Sequence, residues 1–526
     1  MLISPGSSPW HDKILSNSTN VPQPRLAAEV SVPTPPVNVP SKRRLTGEGE
    51  TPTKRPKLIP YNPVRNNQDE SDGDLEDMTI VRRRVHRRGV TYVPPSAALS
   101  QDIVSTRRVL QSFVSSHKSD MYKCHSHSSN TFVTPPYACA YSNGAKRNNS
   151  HLLAVATEEG SVLILNTLKR QDWDFEPQRT VFQPHDNGIF DVKWSSDDAM
   201  LATASGDKTT RICSVATHTT LQVLQHHACT VKCIAWDPSH RDILSTGSRD
   251  GMICLWDLRT ASNGASTGIP AMTPVMTINA AHGQEKVKGG RRKVVPPPRS
   301  VTSLLYTDTQ PHGLVSSGSF DGILNLWDLR QPATDSRRKR STKGTNLIVP
   351  FRSSPADPTT LNGSRRPRGI TSLCAGSGPT ASLLFAIGAD SLLHTYSSPS
   401  MIPLEATTHS NMKTSFYVRV ACSPCGRWVA SGCAGRTGSL FLFDVSNAAR
   451  VSVSPYARSH LSAVELRGQT GEIGALDWAN DMVATCADDG TVRVWRPNLD
   501  VYQRCVSDPE EQRRDWSWSE DICPGG

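Results

Sequence analysis

Beyond about residue 106, apolar and polar residues alternate in short runs, and Gly, Asp and Ser interrupt those runs at short intervals. A period of two marks strands, and the interrupting residues mark the turns between them. Two runs nearly repeat: MICLWDLR at 252–259 and ILNLWDLR at 323–330, each ending in Trp-Asp with an arginine two places later. Aligning the ends of the third strands gives Leu165, Cys213, Trp256, Trp327, Tyr396, Phe443 and Trp495, at intervals of 48, 43, 71, 69, 47 and 52 residues. A WD blade takes about 40–45 residues, so four intervals fit and two hold insertions of roughly 25–30 residues. Seven units suit a closed propeller. The pattern predicts an all-β, seven-bladed WD-repeat β-propeller over 106–500, a disordered tail over 1–105 and a short C-terminal tail over 501–526.

Polar marks recur in register with these strands. A histidine stands ahead of several first strands (His185, His227, His282), and an aspartate sits between second and third strands (Asp207, Asp250, Asp321, Asp489). With a strand Ser or Thr and the third-strand tryptophan, such as Trp495, they are expected to form buried hydrogen-bonded sets, because buried polar groups must be paired. Their repetition marks them as structural rather than catalytic. Closing the ring needs one strand from the other end of the chain, and RVLQSFV at 108–114 alternates well enough to supply it. Closure would remove an exposed sheet edge.

The first hundred residues are rich in Pro, Ser, Thr and Asn, too poor in apolar residues to offset chain entropy. Within them KRRLTGEGETPTKRPK carries two basic clusters, Lys42-Arg43-Arg44 and Lys54-Arg55-Pro56-Lys57, with the form of a bipartite nuclear import signal. The formal net charge of +10 is concentrated: residues 1–105 carry +3, 284–300 carry +5 and 331–369 carry +7, leaving the rest near −5. A uniformly basic nucleic-acid-binding domain would look different. No run of about 18 apolar residues suggests a membrane span, and the N-terminus lacks the features of a secretory signal. Thirteen scattered cysteines fit a reduced, nuclear or cytosolic protein. Cys422-Ser-Pro-Cys425 reads as a hairpin turn, and Cys124, His125 and His127 as a solvated loop, so no metal or cofactor is expected.

In a blade, the turn after the third strand emerges on the face opposite the Asp turn. Arg259 and Arg330 are therefore expected on one face of neighbouring blades, as rigid forks of donors suited to carboxylates and carbonyls. The segments LAVATEEG, IFDVKW, TASGDKT and FYVR, spread over roughly 106–500, resemble successive blades of the denticleless (Cdc10-dependent transcript 2) family, substrate receptors of type-4 cullin–RING ubiquitin ligases. The resemblance implies a non-catalytic receptor whose WD-x-R blades bind the damage-specific DNA-binding adaptor, here through Trp256, Asp257 and Arg259 and through Trp327, Asp328 and Arg330. It further implies degron-bearing replication and cell-cycle substrates, presented on the sliding clamp PCNA at chromatin and marked for proteasomal degradation.

Some features depart from that family. Blade two has Cys213-Ser214 where Trp-Asp is usual, blade six lacks the Ser-Asp turn, and no clamp-binding box is present. The insertion EKVKGGRRKVVPPPR, with Lys286, Lys288, Arg291, Arg292 and Lys293, is expected opposite the arginines, where it would attract chromatin or an acidic substrate surface. A second function class uses the same loops: a nuclear WD-repeat scaffold that binds chromatin or nucleic acid without a ligase. A propeller-based hydrolase finds no nucleophile–base grouping outside the repeat pattern. Replacing Lys42, Arg43, Arg44, Lys54, Arg55 and Lys57 together by alanine is expected to move a fluorescent fusion from nucleus to cytoplasm, as scored by live-cell imaging.

Overall fold

The computed structural model describes residues 106–520, apart from 128, 130, 172–173, 176–177, 261–270, 284–298, 331–347, 362–363, 449–457 and 460–462. The import clusters Lys42–Arg44 and Lys54–Lys57 and the basic segment from Lys286 to Lys293 lie outside the described residues. No described helix is long and apolar enough to cross a membrane.

Seven sheets form the blades of one propeller, antiparallel except where Ala271–Met272 and Arg458–Ser459 add short parallel edge strands to blades two and five. Their innermost strands are Pro136–Tyr141, Ile189–Trp194, Val231–Trp236, Val301–Tyr306, Ile370–Ala375, Val420–Cys422 and Ile473–Trp478. Each touches the next, and the seventh touches the first. All seven aligned third-strand residues lie on third strands, which run from Val162–Asn166 in blade one to Thr491–Pro497 in blade seven.

Every middle strand is covered on both sides by neighbouring blades, so small and apolar residues fill both of its faces. Gly313–Gly318 in blade four is buried along its whole length. The hydrophobic core is therefore divided among the junctions. Ala154, Val162 and Ile164 of blade one pack on Ile189, Val192 and Trp194 of blade two, and Leu153 and Leu163 pack on the blade-seven side against Ala484 and Val494.

The outer strand of blade seven comes from the N-terminal end of the described chain in two pieces. Phe113 and Val114 pair with Pro497 and Arg496, and Met121–Lys123 pair with Arg493, Val492 and Thr491. The expected strand over 108–114 is corrected: Thr106–Gln111 is a short helix and pairing begins at Phe113. Local alternation cannot separate a one-turn helix from a strand start; packing decides. Between the two pieces, buried Asp120 holds the break. It accepts from the Ser116 amide at 3.1 Å and from Arg496 Nε at 2.9 Å, and its own carbonyl accepts from the Val494 amide at 2.8 Å.

The boundary expected at residue 500 falls inside a helix, Leu499–Ser507, whose N-cap Asn498 side chain accepts from the Val501 amide at 3.0 Å. Val501 and Cys505 pack against Val114 and Trp518, and Trp516–Ser517 adds a further strand beside Ser115 and Ser116. The described part of this segment is thus an extension of blade seven. Its amphipathic spacing closes an apolar face over the closure strand.

Phe113 anchors the closure, edge-on to Trp478 at 5.7 Å and to Trp428 at 6.1 Å between ring centroids. Phe113→Ala is expected to cost about 3–5 kcal/mol. Exposed Phe416→Ala should stay within about 0.5 kcal/mol of the parent. Urea denaturation followed by tryptophan fluorescence compares the two.

Candidate functional site

On the face carrying the turns between second and third strands, blade three shows a complete polar set. His227 Nδ1 lies 3.2 Å from Asp250 Oδ2, its Nε2 lies 2.8 Å from Thr246 Oγ1, and Trp256 Nε1 donates to that same hydroxyl at 2.9 Å. Blade two keeps the first three members: His185 stands 2.7 Å from Asp207 and 2.9 Å from Thr203, with Cys213 in the tryptophan position. Burial opposes ionisation of Asp207, but the hydrogen bond and charge of His185 together with hydrogen bonds from Thr209 outweigh it and bring the carboxyl down to about 2.

Blade four requires a correction. His282 and Trp327 both meet the Ser316 hydroxyl at 2.9 Å, but Asp321 does not join them. Arg299 takes Asp321 at 3.1 Å and lies 3.6 Å over the Phe320 ring. On the third strand, Asn325 donates to the Ala281 carbonyl at 3.0 Å and stands 3.4 Å from His282 Nδ1. Blade three has the small Cys254 at this position, two residues before its tryptophan, and there Asp250 reaches its histidine.

Blade seven uses a glutamine that sequence reasoning missed. Gln469 accepts from Thr485 Oγ1 at 2.6 Å and donates to Thr491 Oγ1 at 3.1 Å, while Trp495 Nε1 donates to Thr485 Oγ1 at 3.1 Å. Asp489 joins through Thr491, whose hydroxyl donates to it at 2.6 Å. The signal was present: Gln469 precedes its first strand by the same four residues as His185 and His227. Blade five moves its histidine onto the third strand, where His394 Nε2 meets Asp390 at 3.0 Å.

The turns after the third strands of blades three and four leave the opposite face. In each, the aspartate after the buried tryptophan grips the arginine two residues on. Arg259 donates to Asp257 through Nε at 2.8 Å and Nη2 at 2.7 Å, and Arg330 to Asp328 through the same two nitrogens at 3.2 Å. These bonds hold both carboxyls below the usual range. The arginine side chains stay 62% and 55% exposed. Two guanidinium forks are thus fixed in orientation yet open on their remaining N–H groups, a state suited to receiving a partner's carbonyls or carboxylates.

Nearby on that face, Asp237, His240 and His312 bring three ligand atoms within 4.8 Å of one another. The carboxylate already meets His240 at 3.1 Å, and the two imidazoles stack at 5.6 Å. Cys422-Ser-Pro-Cys425 forms a hairpin turn, with the Gly426 amide on the Ser423 carbonyl at 2.8 Å. Burial pushes the Cys422 thiol up to about 11.

At the other end of the channel, on the histidine face, a cavity of about 340 Å³ opens among Tyr137, Phe190, Lys232, Arg249, Tyr417 and Arg419. Tyr137 stacks on Phe190 at 5.6 Å and on Tyr417 at 6.4 Å, and Phe416 beside them is 70% exposed. No sequence signal announced this mouth, because its lining residues come from six different blades.

The closed ring, the polar sets and the paired WD-x-R turns define a WD-repeat β-propeller protein. The WD40 domain of anaphase-promoting complex subunit 4 matches residues 147–239, and the WD domain, G-beta repeat, matches residues 462–496. The cell division cycle protein cdt2 of Schizosaccharomyces pombe is 30% identical over 370 residues, 67% of this chain and 68% of that protein. Denticleless protein homologs of Danio rerio and Homo sapiens are 29% and 27% identical, over 71% and 70% of this chain. The chain belongs to the denticleless (Cdc10-dependent transcript 2) family. It spans about half the length of the vertebrate relatives it matches, 53% and 48% for those two.

Burial, with a smaller contribution from Arg299, lowers His282 to about 4, against about 6.5 in an unfolded chain. Between those values the unfolded chain takes up a proton that the folded chain refuses. Stability from this site is therefore full above about pH 6.5 and lost as pH falls towards 4. His282→Gln, which does not titrate, is expected to flatten that part of the curve in urea midpoints measured from pH 7 to 4.

Proposed function

We propose that this propeller is the substrate-recognition subunit of a type-4 cullin–RING ubiquitin ligase. The arginine face docks the damage-specific DNA-binding adaptor, and the opposite face holds degron-bearing replication and cell-cycle proteins, delivered with PCNA on chromatin. The receptor works in the nucleus and performs no chemistry. Among the described residues, His185 with Asp207 and His227 with Asp250 are acid–histidine pairs that serve structural contacts within a blade. Its contribution is proximity: it holds a substrate lysine near a charged ubiquitin-conjugating enzyme, turning an encounter between separate molecules into one within a complex.

The observation that carries this reading is the pair of equivalent, exposed, aspartate-braced arginines on adjacent blades of one face. Intra-blade packing does not require such exposure: each turn is already tied to the sheet by the backbone, Leu258 to Asp242 at 2.9 Å and Leu329 to His312 at 3.1 Å. The family membership supports the same reading.

Binding of the purified chain to the adaptor tests it. Arg259→Glu/Arg330→Glu is expected to weaken binding by about a hundredfold or more, since each new carboxylate would face its own aspartate and the partner's acceptors. Circular dichroism should show the blades unchanged. If the parent chain fails to bind the adaptor, the receptor reading falls and the chromatin scaffold replaces it.

A further inference from the structure

The channel mouth on the histidine face gathers three cations from separate places in the chain. Lys232 is the second residue of the inner strand of blade three, Arg249 sits in the turn between that blade's second and third strands, and Arg419 precedes the inner strand of blade six. Cations brought this close on a folded surface usually recruit carboxylates, but none of these three forms an ion pair among the described residues. Lys232 Nζ rests 3.8 Å over the Phe190 ring and 5.3 Å from that of Tyr417. Arg419 Nη2 reaches the Phe190 and Lys232 carbonyls at 2.9 and 3.2 Å, which fixes its guanidinium beside the lysine. Burial, then repulsion from Arg419 and Arg249, holds the Lys232 ammonium down to about 8. The carboxylates of the rim lie elsewhere. Glu158 bears on the Tyr137 hydroxyl, and Asp488 acts on both Tyr137 and Glu472, all three from blades one and seven.

We propose that this mouth accepts an anionic side chain, carboxylate or phosphate, carried on an extended segment of the substrate. Its oxygens would sit among Lys232, Arg249 and Arg419, and Phe190, Phe416 and Tyr417 would pack on the flanking residue. The proposal rests on the receptor reading for the identity of the substrate, and on the mouth itself for its chemistry. Three like charges against apolar walls are held together at an electrostatic cost that an anion would relieve, in a site where charge–charge attraction is stronger than in open water. The Glu158, Glu472 and Asp488 side repels the same anion, so the anion is confined to one edge of the mouth. Ser300, Thr302 and Ser319 line the cavity as well; Thr302 and Ser300 already donate to the Ile370 and Arg249 carbonyls, which leaves the Ser319 hydroxyl as a donor for a remaining oxygen.

Three acetylated tetrapeptides serve as probes for the full chain: Gly-Tyr-Asp-Gly, Gly-Tyr-phosphoserine-Gly and Gly-Tyr-Lys-Gly. In calorimetry at low salt, either or both anionic peptides are expected to bind at least about tenfold more tightly than the lysine peptide. Arg249→Ser, in an exposed turn, is expected to remove most of that difference. Lys232→Met should do the same and abolish the proton uptake that accompanies anion binding near pH 8. A phosphoserine peptide about tenfold tighter than the aspartate peptide identifies a phosphorylated segment; equal binding identifies an acidic one. No binding by either anionic peptide, equal binding of all three, or anion binding indifferent to both substitutions overturns the proposal. Adaptor binding measured on the same preparations separates the two readings: loss of the anion site leaves the adaptor face intact, and a chain that binds anions but no adaptor overturns only the receptor assignment.

Discussion

The ring depends on its last blade receiving an outer strand from the distant end of the chain, because every blade must be complete to pack on two neighbours. The third strand of blade seven, Thr491–Pro497, would expose unpaired N–H and C=O groups along its length if nothing lay outside it. Phe113, Val114 and Met121–Lys123 cover that edge, and the buried Asp120–Arg496 pair bridges the gap between them. Because the hydrophobic core is distributed among the junctions, losing one junction loosens both blades that form it. The segment Leu499–Ser517 then packs over the closure strand from outside. Residues more than 370 positions apart are thereby joined.

The same antiparallel geometry separates the two faces. Successive strands of about six residues carry the chain some 20 Å from one face to the other and back. Turns between second and third strands always open on one face, and turns after third strands on the other. The tryptophan of a WD-x-R blade belongs to both: its indole closes the polar set, and the next residue, aspartate, braces the exposed arginine. On the receptor reading, this lets adaptor and substrate occupy opposite ends of one rigid body without competing for surface. Rigid presentation is what a proximity device requires.

The histidine-face sets show how much variation a blade tolerates. Blade three has all four members. Blade two has a cysteine for the tryptophan, blade four an arginine-held aspartate with an asparagine near the histidine, and blade seven a glutamine for the histidine. What persists is a buried Ser or Thr hydroxyl whose partners are all made within the blade. An unpaired buried group is costly, whereas one donor can be exchanged for another at little cost.

The chain's own pattern determined the blade count, the third-strand positions, the His and Asp registers of blades two and three, and the shared face of Arg259 and Arg330. All of these are local: a period of two along a strand, a turn residue at a set offset, and a repeat that multiplies each signal seven times. Tertiary structure decided the rest. A one-turn helix preceded the closure strand at Phe113, Arg299 drew Asp321 away from His282, and Gln469 filled a histidine's place. Only the folded ring brought Asp237 and His240 to His312, or Lys232 to Arg419 and the aromatic mouth. Such groupings draw one or two residues from each of several blades, so no stretch of sequence contains them. They exist because ring closure sets distant turns side by side.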